Sequence, residues 1–527
     1  MNISATALTP QYLRSRMGKV CVAIAAATAA EMTERAETAS HECHFLEFRL
    51  DYLPKPLAAV AGLREFLAAH MEITAIATCR RVIAGGRFKG TIAAELEVLE
   101  TAGKAGFHLV DLELETAESM KASQMSNLRG HGAALMISYH DFSATKDLDG
   151  ICTRMERFKP EFLKIVTTAK SLTDNVTMMK FLERTSAHTN MVGICMGEQG
   201  LISRVLGLRA GSAFTFASAG VGEETGPGQV TLRSLADTYR IDQLDAATKI
   251  YGVAGNPVKH SLSPVMMNTA FRRETVNAVY LGLQTAKIED LLTLLREVPL
   301  HGISVTMPFK RDILKYLEKT DPLSARIGAC NTVVRSSDGK LYGFNTDVAA
   351  IIRPLEKRLK LKDAKVLVLG AGGAARAAVF GLKDKGAEVF ILNRTPETAQ
   401  KLAREAKARV QRRDQLGKAT FDVIVNATPM GMHGVKPGNL LEPKEINARL
   451  VFDLVYNPLD TPLIRAAREK GIPVITGVEM FVHQGARQFE IWTGKPAPEE
   501  EMLRVVVHAL RHPPVVRAEA AGVAAGV

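Results

Sequence analysis

The stretch KVLVLGAGGAARAAVFGLKDKGAEVFILNRT, residues 365–395, decides the fold of the second half of the chain. It opens with the apolar run VLVL and closes with a second run, VFIL, each the length of a buried parallel strand. Between them, Gly370, Gly372 and Ala375 have the spacing of a dinucleotide-binding turn, ahead of a helical pattern. Gly370 would permit the tight turn, Gly372 the approach of a pyrophosphate, and Ala375 close packing of the helix on the strand. The stretch therefore predicts a βαβ unit that offers the N-terminus of its helix to phosphate groups.

The end of the second strand indicates which dinucleotide is bound. A site for NAD usually places Asp or Glu there, to accept a hydrogen bond from the ribose 2′-hydroxyl. This chain has Asn393, Arg394 and Thr395 instead, with no carboxylate among them. Because the planar guanidinium of arginine suits a phosphate, the sequence predicts NADP(H) and a hydride transfer in this half. The alternative is that Arg394 is an exposed arginine that only contributes to solubility.

Composition and charge place the chain among globular proteins that act on small anionic molecules. Its 527 residues suggest about two to four domains, and 46% hydrophobic with 23% charged residues is near the average for such proteins. The net charge of +11 is spread along the chain, and no Lys/Arg tract carries interleaved aromatic residues, so binding of nucleic acid is not indicated. We expect small-molecule substrates, and the sequence leaves the oligomeric state open.

Cysteines and apolar runs bear on the compartment. The six cysteines include no CxxC pair, which argues against a disulfide framework and a zinc knuckle, and no metal site is predicted. No apolar run has the length needed to cross a membrane, and residues 1–18 lack the apolar core of a signal peptide. The sequence therefore predicts a cytoplasmic protein that is not bound to membranes, with residues 1–18 as an N-terminal extension.

The first half alternates short apolar runs with helical patterns. Eight such runs occur about 20–35 residues apart, which is typical of a (β/α)8 barrel. The runs lie at residues 20–24, 45–50, 74–78, 109–114, 134–138, 162–166, 191–195 and 213–216. We therefore predict a barrel over residues 19–244, with its chemistry at the C-terminal ends of the strands.

Polar residues cluster at those strand ends. Lys164 lies within the apolar run FLKIV, where burial of its charge would be costly and would favour the neutral amine that Schiff-base chemistry needs. His140 follows the fifth run, a position suited to a general base. Each has an alternative, since Lys164 could extend outward between strands and helices and His140 could be a hydrogen-bonded loop residue. Further polar residues at the strand ends are Glu47, Arg49, Arg80 and Arg204.

Six motifs stand out in this half: FLEFRLDYL, TCRR, SYHDF, FLKIV, MGEQGLISRVLG and GPGQV. In these motifs the chain resembles type I 3-dehydroquinate dehydratase, over nearly all of the predicted barrel. The resemblance implies that Lys164 forms an imine with the C3 ketone of 3-dehydroquinate. His140 would then remove a proton from C2, and the C1 hydroxyl would leave. The implied binding residues are Arg204, Thr225 and Gln229 for the carboxylate and ring, and Glu47, Arg49 and Arg80 for the ring hydroxyls.

One position departs from the pattern of that family. Where relatives usually have a glutamate that pairs with the catalytic histidine, this chain has Ala84, followed by Gly85 and Gly86. We therefore expect His140 to be less firmly oriented, or to be oriented by another residue, for which Glu47 is the candidate. The expected consequences are dehydration that is slow relative to the second activity, a lower histidine limb in the pH profile, and a gain on Ala84→Glu.

The second half contains a further set of motifs: GNPVKHSLSP, SVTMPFK, GACNTVV, FNTD, VNATPMGM, FDLVYNP and GVEMFVHQGARQFEIWTG. In these motifs the chain is similar to shikimate dehydrogenase, over nearly the whole of this half. The resemblance implies that Lys310 and Asp347 form the catalytic pair, and the residue types agree, because a lysine coupled to an aspartate is a tunable proton donor. Taken alone, the two could form a surface ion pair. The implied substrate contacts are Ser261 and Ser263 for the carboxylate, Thr306 and Asn331 for ring hydroxyls, and Tyr456 and Gln484 for the rest of the pocket.

The predicted fold class is α/β: a (β/α)8 barrel followed by a two-lobed dehydrogenase with a Rossmann lobe that binds NADP. The substrate lobe is expected at residues 250–350, completed by helices from about 480–512, with the Rossmann lobe at 351–479 and a disordered tail at 513–527. Ser304 stands where many relatives of the dehydrogenase family have asparagine, which is a mild departure from the family pattern.

The predicted NADP(H) contacts are Gly370, Ala371, Gly372, Gly373, Ala374, Asn393, Arg394, Thr395, Thr428, Met430, Gly477 and Met480.

The two resemblances fall on one pathway, because 3-dehydroshikimate, the product of the first activity, is the substrate of the second, which yields shikimate. Together they resemble the bifunctional dehydroquinate dehydratase–shikimate dehydrogenases of plants and some bacteria. One alternative is a quinate-sensing regulator without activity, but the four catalytic residues that such a regulator would lack are all present. Another is a quinate/shikimate dehydrogenase that prefers NAD, against which Arg394 argues.

Overall fold

The computed structural model shows two compact units. Of the described residues, the first comprises 8–247 together with Glu289–Val298, and the second comprises Thr248–Ile288 and those between 299 and 512. The tail predicted at residues 513–527 and the first seven residues of the predicted N-terminal extension lie outside the described part of the chain. The described residues are 8–433, 435, 438 and 440–512.

The first unit is built on eight parallel strands, each paired with its neighbour in the order β7-β6-β5-β4-β3-β2-β1-β8. Their bounds are β1 (Val20–Ile24), β2 (Phe45–Arg49), β3 (Thr74–Thr78), β4 (Leu109–Glu113), β5 (Ala134–His140), β6 (Phe162–Thr168), β7 (Met191–Met196) and β8 (Thr215–Ser218). Between β7 and β8 the amide of Ala213 donates a hydrogen bond to the carbonyl of Met191 at 2.7 Å, just ahead of β8. The predicted barrel is confirmed.

Helices alternate with these strands. They are α1 (Pro10–Arg16), α2 (Ala29–Ser40), α3 (Pro56–Ala69), α4 (Ile92–Lys104), α5 (Leu114–Ser119), α6 (Ala122–Arg129), α7 (Leu148–Glu156), α8 (Leu172–Thr185) and α9 (Leu201–Leu206). Helix α1 lies in the predicted extension, yet its Leu13 is fully buried in a core cluster with Phe45 and Phe214 at the N-terminal ends of the strands. Between β8 and the second unit the chain forms two short helical turns, at Ser234–Thr238 and Ile241–Gln243.

The substrate lobe of the second unit contains a mixed six-stranded sheet in the order β10-β9-β11-β13-β14-β12. Its strands are β9 (Lys249–Gly255), β10 (Ala278–Gln284), β11 (Leu300–Val305), β12 (Lys319–Thr320), β13 (Thr332–Arg335) and β14 (Leu341–Phe344). The helices in this stretch of the chain are α10 (Ser263–Arg273), α11 (Ile288–Glu297), most of which is counted with the first unit, and α12 (Pro322–Ile327).

The second lobe is a Rossmann sheet of six parallel strands in the order β17-β16-β15-β18-β19-β20. The strands are β15 (Lys365–Leu369), β16 (Glu388–Leu392), β17 (Arg409–Val410), β18 (Phe421–Asn426), β19 (Ala448–Asp453) and β20 (Val474–Ile475). The helices are α13 (Asp347–Glu356), α14 (Gly373–Asp384), α15 (Pro396–Ala406), α16 (Pro462–Glu469), α17 (Gly477–Thr493) and α18 (Glu499–Arg511). The strand order reverses between β15 and β18, and ligands of such sheets bind in the crevice at that point.

The last two helices return to the substrate lobe. Phe271 of α10 lies in one buried core cluster with Phe489 of α17 and with Met502 and Val506 of α18. This apolar cluster fixes α17, which carries Gln484, beside the substrate lobe. No helix among the described residues is both long and apolar enough to cross a membrane.

Candidate active sites

The barrel has a cavity at the C-terminal ends of its strands, with about 520 Å³ of empty space that is partly open to solvent. All eight residues predicted for the first site line it. They are Glu47, Arg49, Arg80, His140, Lys164, Arg204, Thr225 and Gln229. The structure therefore brings together side chains that are far apart in the sequence.

Lys164 points into the barrel. Its side chain is 3% exposed, and its Nζ donates a hydrogen bond to Oδ2 of Asp111 at 2.6 Å. Oε1 of Glu47 is 3.6 Å from the same nitrogen, and the ring of Phe216 has its centroid at 4.6 Å. The alternative that Lys164 extends outward between strands and helices is therefore wrong. The amine is held at one point in the cavity by two carboxylates, which balance its charge in a buried position.

His140 is buried at the end of β5, and its partner is not the expected one. Nδ1 of His140 lies 2.7 Å from Oε1 of Glu113. Glu47, the candidate proposed from the sequence, instead accepts a hydrogen bond from Thr78 at 2.7 Å, so that prediction is wrong. Burial lowers the pKa of His140 well below its usual value, and the charges of Arg80 and Lys164 lower it further.

Asp111 and Glu113 of β4 were missed by the sequence analysis. Arg80 binds both, with Nε donating to Glu113 at 2.5 Å and a terminal nitrogen donating to Asp111 at 3.3 Å. Burial raises the pKa of Glu113 to about 7, although the charge of Arg80 opposes the shift. Burial acts on Asp111 in the same direction, but the charges of Lys164 and Arg80 outweigh it and hold its pKa below the usual range. The alternation of carboxylates in the run LVDLELE, which puts two charges on the inner face, was the signal that could have found them.

The remaining residues of the first site are fixed by their neighbours. Arg49 donates two hydrogen bonds to the carboxylate of Asp51, at 2.9 and 2.8 Å. Arg204 is buried, and a terminal nitrogen donates to the carbonyl of Pro227 at 3.1 Å. Burial lowers the pKa of Arg204 to about 10. Thr225 and Gln229 are joined within their loop, since the amide of Thr225 donates to Oε1 of Gln229 at 2.7 Å.

In the second unit, Lys310 and Asp347 form a contact of 2.5 Å between Nζ and Oδ2. Asn331 donates to the other carboxylate oxygen at 2.8 Å and also to the hydroxyl of Thr346 at 2.9 Å. Asp347 is buried at the start of α13, whereas 16% of the Lys310 side chain is exposed. The alternative of a surface ion pair is therefore wrong, and the lysine amine is the member of the pair that can reach a ligand.

Three residues predicted to bind substrate lie around the start of α10. The hydroxyl of Ser261 donates to that of Ser263 at 3.1 Å, and the hydroxyl of Tyr456 accepts a hydrogen bond from the amide of Leu262 at 3.4 Å. The ring of Tyr456 stacks on Phe481, with centroids 4.0 Å apart. Burial raises the pKa of Tyr456, so its hydroxyl stays protonated and can donate to an anion.

The two other predicted substrate residues lie on neighbouring elements. Thr306 directly follows β11, four residues before Lys310, and its amide donates to the carbonyl of Ala254 at 2.9 Å. Gln484 lies on α17, where its side-chain amide donates to the carbonyl of Phe481 at 2.9 Å.

A buried network was also missed here. The hydroxyl of Ser304, 2.5 Å from the hydroxyl of Tyr280, donates to Oε1 of Gln488 at 2.7 Å. Gln488 in turn donates to the carbonyl of Asn331 and to the hydroxyl of Thr332, each at 3.0 Å. Serine in place of the more usual asparagine therefore serves a network that holds Asn331 and the start of β13. Gln488 is far along the chain from its partners, so no local sequence pattern marks this network.

The dinucleotide turn has the backbone that its sequence predicted. Gly370 adopts φ +109°, which favours glycine, and the amide of Gly370 donates to the carbonyl of Leu392 at 2.8 Å. A Cβ placed on Gly372 would meet no atom within 4 Å, so the space in front of α14 is open. A Cβ on Gly373 would lie 3.0–3.5 Å from the side chain of Lys310, which puts that lysine against the turn. Ala375 is fully buried.

The other predicted cofactor residues lie around this turn or beneath it. Asn393, Arg394 and Thr395 follow β16, with Arg394 exposed and the side-chain amide of Asn393 donating to the carbonyl of Thr395 at 3.0 Å. Thr428 follows β18 and accepts a hydrogen bond from the amide of Met430 at 3.2 Å. Ala371 is buried in the turn, and Ala374 lies in the first turn of α14. Gly477 begins α17, and Met480 lies in the apolar core of the lobe.

Four family models match the chain in succession. They describe type I 3-dehydroquinase at residues 20–246, the shikimate dehydrogenase substrate binding domain at 253–333, shikimate/quinate 5-dehydrogenase at 354–460 and the shikimate 5′-dehydrogenase C-terminal domain at 477–507.

The relatives described here match either most of the chain or about half of it. The bifunctional 3-dehydroquinate dehydratase/shikimate dehydrogenase of Arabidopsis thaliana, described as chloroplastic, is 34% identical over 86% of this chain and 78% of its own. The shikimate dehydrogenase (NADP(+)) of Pyrococcus furiosus is 40% identical over 51% of this chain and 98% of its own. The structure of shikimate 5-dehydrogenase from Thermus thermophilus with NADP(H) and shikimate shares 36% identity, covers 50% of this chain and 100% of its own, and has a TM-score of 0.46.

A lysine-bearing (β/α)8 barrel joined to a Rossmann dehydrogenase defines the class of the protein, an enzyme that fuses a lyase with an oxidoreductase. The match to the Arabidopsis relative extends over most of both chains. The chain belongs to the bifunctional 3-dehydroquinate dehydratase/shikimate dehydrogenase family, which confirms the resemblance seen in the sequence.

Proposed function

We propose that the chain converts 3-dehydroquinate to 3-dehydroshikimate in its barrel and reduces that product to shikimate with NADPH in its second unit. The observation that carries the proposal is the presence, in one chain, of a buried lysine in a barrel cavity and of a lysine–aspartate pair beside a dinucleotide turn. Residues 19–244 are assigned to the dehydratase, 250–350 with helices from about 480–512 to the shikimate lobe, and 351–479 to the NADP lobe.

In the barrel, Lys164 is the nucleophile. Its amine adds to the C3 ketone and loses water, which leaves an iminium that withdraws electrons from C2. His140 takes the C2 proton, the C1–O bond breaks, and the proton returns to the departing hydroxyl as water. Hydrolysis of the imine then frees the product and the lysine. Arg204, Thr225 and Gln229 hold the carboxylate and ring, and Glu47, Arg49 and Arg80 hold the ring hydroxyls.

In the second unit, Lys310 and Asp347 handle the proton. When the C3 ketone of 3-dehydroshikimate is reduced, its oxygen needs a proton, and the partly exposed amine of Lys310 is placed to give one. Asp347 orients that amine at 2.5 Å and is itself oriented by Asn331. Ser261, Ser263 and Tyr456 bind the carboxylate side of the substrate, and Thr306, Asn331 and Gln484 bind its hydroxyls.

The cofactor site fits NADP(H), which supplies the hydride when bound. The open space at Gly372 and the N-terminus of α14 suit a pyrophosphate. Arg394 is exposed at the end of β16, where a 2′-phosphate would be recognised.

Replacing Arg394 by alanine should raise the KM for NADPH by about ten- to a hundredfold, since a charge-assisted pair contributes about 1.5–3 kcal/mol. The KM for NADH should change little, because NADH lacks the 2′-phosphate. Initial rates of ketone reduction with each reduced cofactor measure both values. Arg412→Ala is the matched control, because Arg412 is an exposed arginine of the same lobe that pairs with Asp414. Equal effects of Arg394→Ala on the two cofactors would contradict its assignment.

The proposed function is tested by a two-step assay on the intact chain. With 3-dehydroquinate and NADPH, the protein should consume the two in equal amounts and form shikimate, identified by mass spectrometry. With 3-dehydroquinate alone it should stop at 3-dehydroshikimate. Failure to form 3-dehydroshikimate would refute the first activity, and its accumulation in the presence of NADPH would refute the second.

We further place the enzyme in the cytoplasm, as a protein that acts on small molecules and binds neither membranes nor nucleic acid. The six free thiols support a reducing compartment.

Two alternative functions are disfavoured. A regulator without activity is disfavoured because both sites retain their proposed catalytic residues, which are His140, Lys164, Lys310 and Asp347. A dehydrogenase that prefers NAD is disfavoured because no carboxylate follows β16.

A further inference from the structure

Glu113 is placed to do what the glutamate missing at residue 84 would do. It is the last residue of β4, and its carboxylate lies between the residues at the ends of β3 and β5. Arg80 donates to Oε1 at 2.5 Å and Ser138 donates to the same oxygen at 3.1 Å. Nδ1 of His140 lies 2.7 Å from that oxygen as well. The carboxylate is thus fixed by residues of both neighbouring strands, next to the imidazole.

The contact between the histidine and the glutamate is close but not yet aligned. Nδ1 of His140 and Oε2 of Glu113 are both buried, and neither has a hydrogen bond of good geometry among the described residues. Catalytic hydrogen bonds are often poorly aligned before the substrate binds and then tighten. Both atoms are shielded from water, and the close approach of Oε1 offers the Nδ1–H of His140 a polar acceptor.

We propose that Glu113 is the positioning residue of His140 and replaces the loop glutamate that this chain lacks. The inference rests on the proposed dehydratase function. Glu113 accepts a hydrogen bond from the Nδ1–H of His140, which selects the tautomer with a free lone pair on Nε2. That lone pair takes the C2 proton of the imine, and the carboxylate stabilises the imidazolium that results. When the proton passes to the departing hydroxyl, the histidine returns to its starting tautomer, so protons and charge balance over the cycle.

The position of Glu113 outside the cavity makes it a positioning residue rather than a residue that binds substrate. Glu113 is not one of the residues that line the cavity, whereas His140 is. The charged groups around the histidine and the glutamate come from five elements of the barrel. They are Arg49 of β2, Arg80 after β3, Asp111 of β4 and Lys164 of β6, and, on the side of Glu113 alone, Glu95 of α4.

The first test is Glu113→Gln in the full chain. Gln keeps the shape and can still accept from Nδ1–H through the oxygen that Arg80 and Ser138 hold, but it lacks the negative charge that stabilises the imidazolium. Turnover of 3-dehydroquinate should fall on the order of a hundredfold or more, with KM changed less than about threefold. Ketone reduction by the same chain should not change, and the nearly unchanged KM for 3-dehydroquinate reports that the barrel is folded. Unchanged turnover in a folded chain would overturn the proposal, as would a raised KM with normal turnover, which would mean that Glu113 acts through Arg80.

A matched control is Glu95→Gln. Glu95 is another buried glutamate of the barrel, bonded to Thr116 at 3.0 Å and paired with Arg81 at 2.9 Å, and it does not contact His140. Dehydration should stay within about threefold of the parent value in this variant. A loss equal to that of Glu113→Gln would show that removing any buried glutamate suffices, and would overturn the specific role of Glu113.

Two further measurements separate positioning from a purely structural role. In a double-mutant cycle, Glu113→Gln should have no further effect on the residual rate of His140→Ala, because it acts only through the histidine. In ¹⁵N-histidine NMR spectra, the resonance that His140→Ala removes should show the proton on Nδ1 in the parent. Additive rate losses, or a proton on Nε2 in the parent, would each contradict the proposal.

Ala84→Glu completes the test, and the expectation differs from that drawn from the sequence alone. Because Nδ1 already has a partner in Glu113, the added glutamate should change dehydration by less than about threefold. A gain larger than that would show that His140 lacked a partner. If His140→Ala and Lys164→Ala themselves leave dehydration intact, the proposed function fails, whereas loss in those variants with a normal Glu113→Gln refutes the positioning role alone.

Discussion

Replacing Lys164 by alanine is expected to abolish dehydration, with a loss on the order of 10⁴-fold or more, because no imine can form without the amine. Ketone reduction should keep its full rate, since every residue assigned to it lies beyond residue 260. The two activities are measured separately on the same preparation, with 3-dehydroquinate and with 3-dehydroshikimate plus NADPH. A loss of both in a folded protein would contradict the assignment of two independent sites.

Covalent trapping sharpens this expectation. Borohydride added with 3-dehydroquinate should reduce the imine and leave one stable adduct, located at Lys164 by peptide mass spectrometry. The parent and the surface variant Lys104→Ala should both form it, and Lys164→Ala should not. An adduct at another lysine, or normal turnover with no adduct, would remove Lys164 from the mechanism.

The strands of the barrel were predictable because both of their faces are buried. A strand covered inside and outside is apolar along its whole length, so seven of the eight predicted runs share their first residue with the observed strand. The exception is the last run. Ala213 and Phe214 precede β8, and Phe214 lies in the apolar cluster that closes the base of the barrel. The sequence does not distinguish apolar residues that pack just before a strand from apolar residues within it, because both kinds are buried.

The site residues were predictable where a local pattern marks them. Lys164 is conspicuous as a charge within an apolar run, and Lys310 lies in a distinctive motif. The pairing of His140 with Glu113 is not local, because it depends on which neighbouring strand directs a carboxylate to the histidine. The family pattern drew attention to the missing glutamate at residue 84, but the replacement lies on the following strand, in a part of the chain that the motif does not include.

The same limit applies to the network of Ser304. Its hydroxyl contacts Tyr280 of β10 and Gln488 of α17, so the three partners come from three elements that only the folded chain brings together. Serine and asparagine both bear polar groups of modest size, and the sequence does not say which network either would join. Such contacts follow from the packing of α17 on the substrate lobe, which is set by apolar residues rather than by polar motifs.

Replacing Lys310 by alanine is expected to lower the rate of ketone reduction by about 10²–10⁴-fold, the usual contribution of a positioned acid or base. The loss should appear in kcat rather than in the KM for NADPH. Asp347→Asn should also lower kcat, because the amine would lose the carboxylate that orients it at 2.5 Å. Dehydration in both variants should match the parent, which shows that the barrel is folded.

A conservative replacement separates the charge from its position. Lys310→Arg retains a cation, but a guanidinium is not readily deprotonated and is bulkier beside Gly373, whose missing Cβ leaves room for the lysine stem. We therefore expect Lys310→Arg to recover little activity, while Asp347→Glu should recover more than Asp347→Asn because it keeps the carboxylate. Lys315→Ala, at an exposed lysine five residues further along, is the matched control and should reduce ketone normally. Full activity of Lys310→Arg would mean that the residue only attracts the anionic substrate, and the proton would then have to come from another group.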